Sequence, residues 1–377
     1  MPDPHSPEQP LEFRREEVGY VMERWRASDS CSLVGIGSVG KSNLLRHLGQ
    51  SDVQAYYISA TQAEHFKAII VDPSLLGPLP TAGDDLDQVR CWAAYELLMH
   101  RIFLAFYPFD SLTKDEANEI YEIYQALQDG SNPLYAYMGL RYFELGLDFF
   151  MRRGFQIVFM FDEFEEMLRQ MPVKFFQTLR GLRDNYKRQL SYLTFTRAPL
   201  PVLVDRMNIS RLDIEPFVEL FTDSLLYVGP YNDADARRMA DGLVRRNQRN
   251  YDEPTINFLL WSSGRYAGLL RSTFRLLETL GPISMAEQKS DRLLNALAVK
   301  TPIRQECRTI WTSLTPAEQY VLKAVARLSE YSVNTETEQA VTQLVQKRLL
   351  RVTKSQKLDI EPPVFRAFVA TNPDIDM

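Results

Sequence analysis

The sequence predicts an α/β fold: a parallel sheet flanked by helices, followed by a helical lid and a C-terminal winged-helix module. Three observations predict it. Gly35-Ile36-Gly37-Ser38-Val39-Gly40-Lys41-Ser42 is a full phosphate-binding loop, G-x-x-x-x-G-K-S/T, with a short apolar stretch before it and a helical pattern after it. Residues 154–161 form a near-continuous apolar run, as in a strand covered on both faces, and end in Asp162-Glu163-Phe164-Glu165-Glu166. From about residue 231 helical spacing takes over, and a turn-rich stretch near 353 then suggests a hairpin.

Each element follows from its local pattern. Residues 1–11 are polar and proline-rich and read as a disordered lead. A helix follows through Arg26, with Val21, Met22 and Trp25 on one face, and Asp29 with Ser30 ends it. Cys31-Ser32-Leu33-Val34 is the strand that feeds the loop. Residues 54–59 predict a second strand from their β-branched and aromatic content, whereas 68–87, with Pro73, Gly77, Pro78, Pro80 and Gly83, predict mostly loop.

Helical spacing returns over 86–106, 114–127 and 134–152. Tyr135, Tyr137, Tyr142, Phe143, Phe149 and Phe150 lie at a spacing that predicts packing rather than a ligand surface. Beyond the 154–161 strand, 173–189 predict a helix, 190–196 a strand ending at Arg197, and 225–230 the last strand. Arg180, Arg183, Lys187 and Arg188 read as a solvated face, with an arginine finger for a neighbouring subunit as the alternative. Helices over 233–249 and 254–280 form the lid, the first ending in the solvated Arg245, Arg246 and Arg249. Thr315 and Pro316 are N-cap and first residue of a further helix. A helix over 338–347 and a hairpin through 349–360 complete the winged-helix plan.

Composition bounds the function. A chain of 377 residues suits two or three domains, divided as a lead (1–11), a P-loop domain (12–230), a lid (231–300) and a winged helix (301–377). Net charge of -6 argues against broad attraction to polyanions. Cys31, Cys91 and Cys307 form no close pair and read as reduced thiols of a cytoplasmic protein. The four histidines show no metal-ligand spacing. No stretch has the length of a membrane span, and the first residues lack the apolar core of a signal peptide, so no membrane partner is expected.

The loop's chemistry is that of a nucleoside triphosphate site. Gly35, Gly37 and Gly40 permit backbone angles closed to other residues, so the amides from Gly35 to Gly40, those of Ile36, Ser38 and Val39 included, can line an anion-sized concavity at the positive end of a helix. Lys41 reaches the β- and γ-phosphates of ATP, Ser42 holds Mg²⁺, and Asn43 lies in the first turn of the same helix. The carboxylates at the end of the 154–161 strand stand where open α/β sheets place their ligands. Asp162 is assigned to Mg²⁺, directly or through water, and Glu163 to the attacking water. Arg197 is assigned to sensing the γ-phosphate. The competing readings are a helix cap for Asp162 and a surface position for Arg197.

Together these residues resemble the STAND branch of the AAA+-like P-loop ATPases, signalling switches that include bacterial relatives of the NLR proteins. Phe13-Arg14-Arg15-Glu16 is similar to the family's opening F-x-G-R-E motif, with Arg14 where glycine is usual, and the resemblance adds Phe13 and Arg15 to the nucleotide site. Residues 35–42 match Walker A, 157–163 match Walker B, and Thr196-Arg197 is similar to the strand-end sensor. Ser263-Gly264-Arg265-Tyr266-Ala267-Gly268-Leu269-Leu270-Arg271 resembles the lid motif T-G-G-H-P-G-L-L-R, with Arg265 at the second glycine and Ala267 at the proline. The resemblance implies a RecA-like sheet and slow ATP hydrolysis. It also implies lid and winged-helix arrangements that differ between ATP and ADP, a nucleotide-dependent homo-oligomer, and an effector or sensor on a separate chain.

A rival expectation is an AAA+ loader or origin-recognition-like ATPase, with Lys347, Arg348, Arg351, Lys354 and Lys357 on DNA phosphates. With 11 basic against 9 acidic residues from 300 to 377, that module is a weak DNA reader. A third expectation is a nucleotide-binding scaffold that never hydrolyses.

Overall fold

Five strands form one sheet: β1 (Cys31–Val34), β2 (Phe66–Val71), β3 (Gln156–Phe161), β4 (Leu190–Thr196) and β5 (Leu225–Tyr227), in the spatial order β2-β3-β4-β1-β5. The computed structural model describes residues 9–83, 85–131, 134–280 and 290–371. Most of the predicted lead, part of the predicted lid (281–289) and the last six residues lie outside the described residues.

The pairs β2–β3, β3–β4 and β4–β1 are parallel, with Val34 opposite Thr196 and Phe161 opposite Thr194. These strands therefore all end at one edge of the sheet. Every residue of β1 and β4, and all of β3 after Gln156, is buried, so both faces are covered by helices, as the apolar run predicts.

Contacts divide the chain into two compact units. The first takes Arg15–Val34 and Ser42–Leu226. Its helix Arg15–Arg26 buries Val18, Val21, Met22 and Trp25, the face predicted from spacing. Helices Leu86–Phe106 and Tyr135–Met151 pack together where glycine leaves room: a Cβ at Gly139 would lie 2.8 Å from Trp92 Cδ1. Phe143, Phe149 and Phe150 are buried, and Phe150 stacks on Phe106 with centroids 4.0 Å apart. Tyr137 differs from expectation, being exposed with its hydroxyl donating to Asp85 at 2.5 Å.

Two further expectations for this unit are corrected. The predicted second strand at 54–59 falls in the helix Ser51–Tyr57, and the strand is Phe66–Val71, partly inside the stretch read as loop. Tyr56 and Tyr57 have high strand propensity, but that preference is weak and depends on sheet neighbours, which this helix does not have. Arg183 is not on a solvated face: it is buried and donates to the Ser28 carbonyl at 3.1 Å.

The second unit takes Gly35–Lys41, the described residues up to Arg14, and those from Tyr227 on. Helices Asp233–Arg246, Glu253–Ser262 and Ala267–Leu280 come first, the last two separated at Gly264 and Arg265, both at positive φ. Helices Asp291–Ala298, Thr301–Thr312, Pro316–Ala326 and Thr335–Gln346 follow. Thr315 caps Pro316–Ala326 in a reciprocal capping box with Glu318. An antiparallel hairpin, β6 (Leu350–Val352) and β7 (Leu358–Ile360), and the helix Pro363–Thr371 complete the winged-helix plan.

All three cysteines are buried and unbridged, as expected. Burial pushes the Cys31 thiol up to about 12 and that of Cys91 up to about 11. An unfolded thiol ionises near about 8.5, so above that pH the folded chain keeps protons that the unfolded chain has lost. The stabilisation is complete below about pH 8.5 and is lost as pH rises toward 11 and 12. Urea midpoints are expected to fall across that window. A thiol-reactive dye at neutral pH should label the chain only after denaturation.

Candidate functional site

Within the second unit the phosphate-binding loop has a specific backbone shape. Ser38 has φ 68° and Gly40 φ 89°, and left-handed residues alternating with others turn successive N–H groups into an anion-sized nest. Sequence reasoning assigned that freedom to the three glycines and missed Ser38. Gly37 serves close approach instead, since a Cβ there would lie 2.6 Å from Thr309 Cγ2. Gly40 serves both needs, because a Cβ would come within 2.8 Å of the Tyr231 hydroxyl. The helix Lys41–Leu48 begins at the lysine, with Ser42 exposed and Asn43 half-buried.

The loop's outward carbonyls have partners. The Ser38 carbonyl accepts the Gly268 N–H at 3.0 Å, and the Val39 carbonyl accepts Arg14 Nη2 at 2.5 Å. The Ser38 hydroxyl donates to the Glu306 carboxylate. Arg14 is fully buried, donates also to the Gly229 carbonyl at 3.0 Å, and holds its guanidinium 4.6 Å from the Tyr231 ring centroid. Phe13 packs edge-on against the same ring at 5.4 Å. Arg15 is exposed at the first position of Arg15–Arg26. For Arg14 the departure from the family's glycine was the available signal; for Glu306 and Tyr231 the sequence held none.

In the first unit the carboxylates stand at the end of β3. The Asp162 N–H extends the strand ladder to the Val71 carbonyl at 3.0 Å, and Asp162 Oδ1 accepts the Glu163 N–H at 2.9 Å. Glu163 takes the left-handed φ of 44° at the N-cap of Phe164–Gln170, yet its side chain caps nothing. Its Oε1 instead meets Arg197 Nη2 at 3.3 Å, and the Arg197 N–H donates to Glu165. Arg197 is therefore tied into the acidic cluster rather than standing alone. Next to it Thr196 is fully buried, and its hydroxyl has no hydrogen-bond partner among the described residues.

Strand register brings these ends into line. The β4 end carrying Thr196 and Arg197 lies between the ends of β1 and β3, so the last two are separated by two strand spacings, about 10 Å. Among the described residues no group of three or more histidines, cysteines or carboxylates could cage a metal ion. Mg²⁺ commonly takes one or two carboxylates and completes its shell with phosphate oxygens and water. A donor set of Asp162 and Ser42 fits a cation that arrives with its nucleotide.

The remaining predicted residues have other work. Arg265 pairs with Asp233 at 2.6 Å. Gly264 abuts Pro362, where a Cβ would be 2.5 Å away, and the Tyr266 hydroxyl donates to the carbonyls of Lys347 (3.2 Å) and Arg348 (3.0 Å). Lys347, expected on DNA phosphates in the rival reading, is buried in an ion pair with Glu318 at 2.5 Å. Arg351 is paired with Asp359 and Glu361 at 2.8 and 2.7 Å. Of that set Arg348, Arg351, Lys354 and Lys357 are exposed, and only Lys347 is buried.

No family model matches the chain, and no curated protein matches it. Solved structures do. A Walker-type ATPase of Pyrococcus abyssi superposes with TM-score 0.50 at 16% identity, over 94% of this chain and 95% of that one. Cdc6p of Pyrobaculum aerophilum gives 0.42 at 11%, over 97% and 96%. The Orc1 protein of Aeropyrum pernix, solved in complex with DNA, gives 0.41 at 14%, over 100% and 96%. The chain thus has a P-loop fold, a parallel sheet flanked by helices, shared with the Walker-type ATPase on which it superposes. Among the described residues no helix is long and apolar enough to cross a membrane.

Proposed function

We propose that this chain binds ATP with Mg²⁺, hydrolyses it slowly, and acts as a STAND-type switch whose nucleotide state sets the arrangement of lid and winged helix. In this reading residues 35–43 cradle the phosphates, with Lys41 on the β- and γ-oxygens and Phe13 and Arg15 framing the site. Ser42 and Asp162 hold Mg²⁺. Glu163 draws a proton from a water that attacks the γ-phosphorus, the bond to the bridging oxygen breaks, and ADP departs while Arg197 neutralises charge on the transferred group. The proposed division is a P-loop domain over 12–230, a lid over 231–300 and a winged helix over 301–377.

One observation carries the switch. Within residues 263–268 the Gly268 amide holds the loop carbonyl of Ser38, while the Tyr266 hydroxyl holds the carbonyls of Lys347 and Arg348. A single short segment is thus bonded both to the phosphate-binding loop and to the C-terminal module. Nucleotide can shift this arrangement only by its difference in affinity between two states. The third phosphate supplies such a difference. The consequence proposed is assembly of a homo-oligomer, or exposure of a surface for a separate effector or sensor protein.

Sizing the protein with Mg·ADP and with a non-hydrolysable ATP analogue tests the reading. Assembly with the analogue alone is the expected result. Lys41→Ala should weaken ATP binding by about 100-fold, as loss of a charge-assisted phosphate contact implies, and abolish assembly. Equal binding by parent and variant would refute the phosphate site, and one unchanging mass with both nucleotides would refute the switch.

A further inference from the structure

Two consecutive peptide groups of the phosphate-binding loop are gripped from outside. The carbonyl of Ser38 belongs to the peptide whose N–H is that of Val39, and the carbonyl of Val39 to the peptide whose N–H is that of Gly40. In a planar trans peptide the C=O and N–H point in opposite directions. The Gly268 amide at 3.0 Å and Arg14 Nη2 at 2.5 Å hold the two outer ends. The N–H groups of Val39 and Gly40 must then face the other way, into the concavity.

Arg14 is built for this task. Its guanidinium is wholly buried, spans the Val39 and Gly229 carbonyls and lies over Tyr231, whose hydroxyl closes on Gly40. Its own N–H is fixed by Asp235 Oδ2 at 3.0 Å. It also sits at φ 49°, a left-handed conformation that favours glycine. An arginine here accepts backbone strain that glycine would avoid, so backbone need does not explain the side chain. A cation on the carbonyl side of a peptide also polarises its N–H, strengthening it as a donor to anions.

We infer that Arg14 is a positioning residue for nucleotide phosphate: it fixes and polarises the Val39–Gly40 peptide so that the Gly40 amide is directed at the anion. The inference rests on the phosphate-site reading above and adds to it a residue outside the loop. It makes no contact with nucleotide itself.

Arg14→Gly tests the guanidinium without adding backbone strain, because glycine accepts φ 49° readily and only the side chain's contacts are lost. Calorimetric titration with Mg·ADP, thermal melting and the ATP concentration dependence of hydrolysis are measured on the full chain for Arg14→Gly, Arg14→Lys and Lys41→Ala. The expected result for Arg14→Gly is about 10- to 100-fold weaker ADP binding, the effect of one or two charge-assisted hydrogen bonds. KM for ATP should rise in step, with kcat within about threefold of the parent. Arg14→Lys, which can reach one carbonyl but cannot form the fork, should recover part of the loss. A merely structural arginine predicts affinity and melting temperature moving together. Unchanged ADP affinity in Arg14→Gly beside a large loss in Lys41→Ala overturns this inference alone, whereas no loss in Lys41→Ala overturns the phosphate site itself. If Arg14→Gly does not fold, Arg14→Lys decides: parental affinity and KM refute the inference, and an intermediate affinity at parental melting temperature supports it.

Discussion

Glu163→Gln is expected to slow ATP hydrolysis by about 10²- to 10⁴-fold, the range for loss of a positioned general base, while ATP binding and folding stay close to the parent. The amide keeps the size and shape of the side chain but cannot take a proton from water. Little stability is at stake, because the contact to Arg197 is 3.3 Å long between partners 41% and 59% exposed. Such a pair contributes about 0–1 kcal/mol. The backbone at φ 44° is equally strained with either residue, so that cost cancels. Phosphate release under saturating ATP, with retention of labelled ATP on a desalting column, is the measurement. A slow parent with a much slower variant that retains ATP supports the hydrolysing switch. Equal rates would remove Glu163 from the chemistry, and no turnover in the parent would favour the scaffold.

What the sequence made legible was whatever depends on local spacing. The strand before Gly35 and the apolar run into Asp162 are each fixed by a dozen residues, and both stand where expected. Helix Leu86–Phe106 likewise declares itself by apolar period. The second strand was misplaced because Tyr56-Tyr57-Ile58 has strand propensity without a strand's environment. Phe66–Val71 was partly hidden by the prolines that follow it. Long-range partners left no local trace: nothing around Glu306 announces its contact with Ser38, 268 residues away. Lys347 looked like a surface cation because charge is visible in sequence, whereas the burial that pairs it with Glu318 is a property of the whole module.

That pair is where a single substitution should damage the fold most. Glu318 and Lys347 have side chains 0% and 1% exposed and meet at 2.5 Å, and the second oxygen of Glu318 accepts the Thr315 N–H at 2.8 Å. Removing either partner strands a charge away from water, so Glu318→Ala and Lys347→Met are each expected to cost about 3–5 kcal/mol in chemical denaturation. Replacing both with apolar residues of similar volume, Glu318→Leu with Lys347→Met, removes both desolvation costs and should restore most of the loss, apart from about 1 kcal/mol for the Thr315 N–H left without its carboxylate acceptor. Being buried, the coupling should not weaken between low and high salt, unlike an exposed pair. Single variants within about 1 kcal/mol of the parent, or a double variant no better than either, would refute the buried-pair account. The consequence reaches the switch, since Tyr266 takes its carbonyl partners from Lys347 and Arg348. A module loosened at Lys347 loses the anchor through which segment 263–268 would convey nucleotide state, so Lys347→Met is expected to uncouple assembly from ATP even where nucleotide affinity is unchanged.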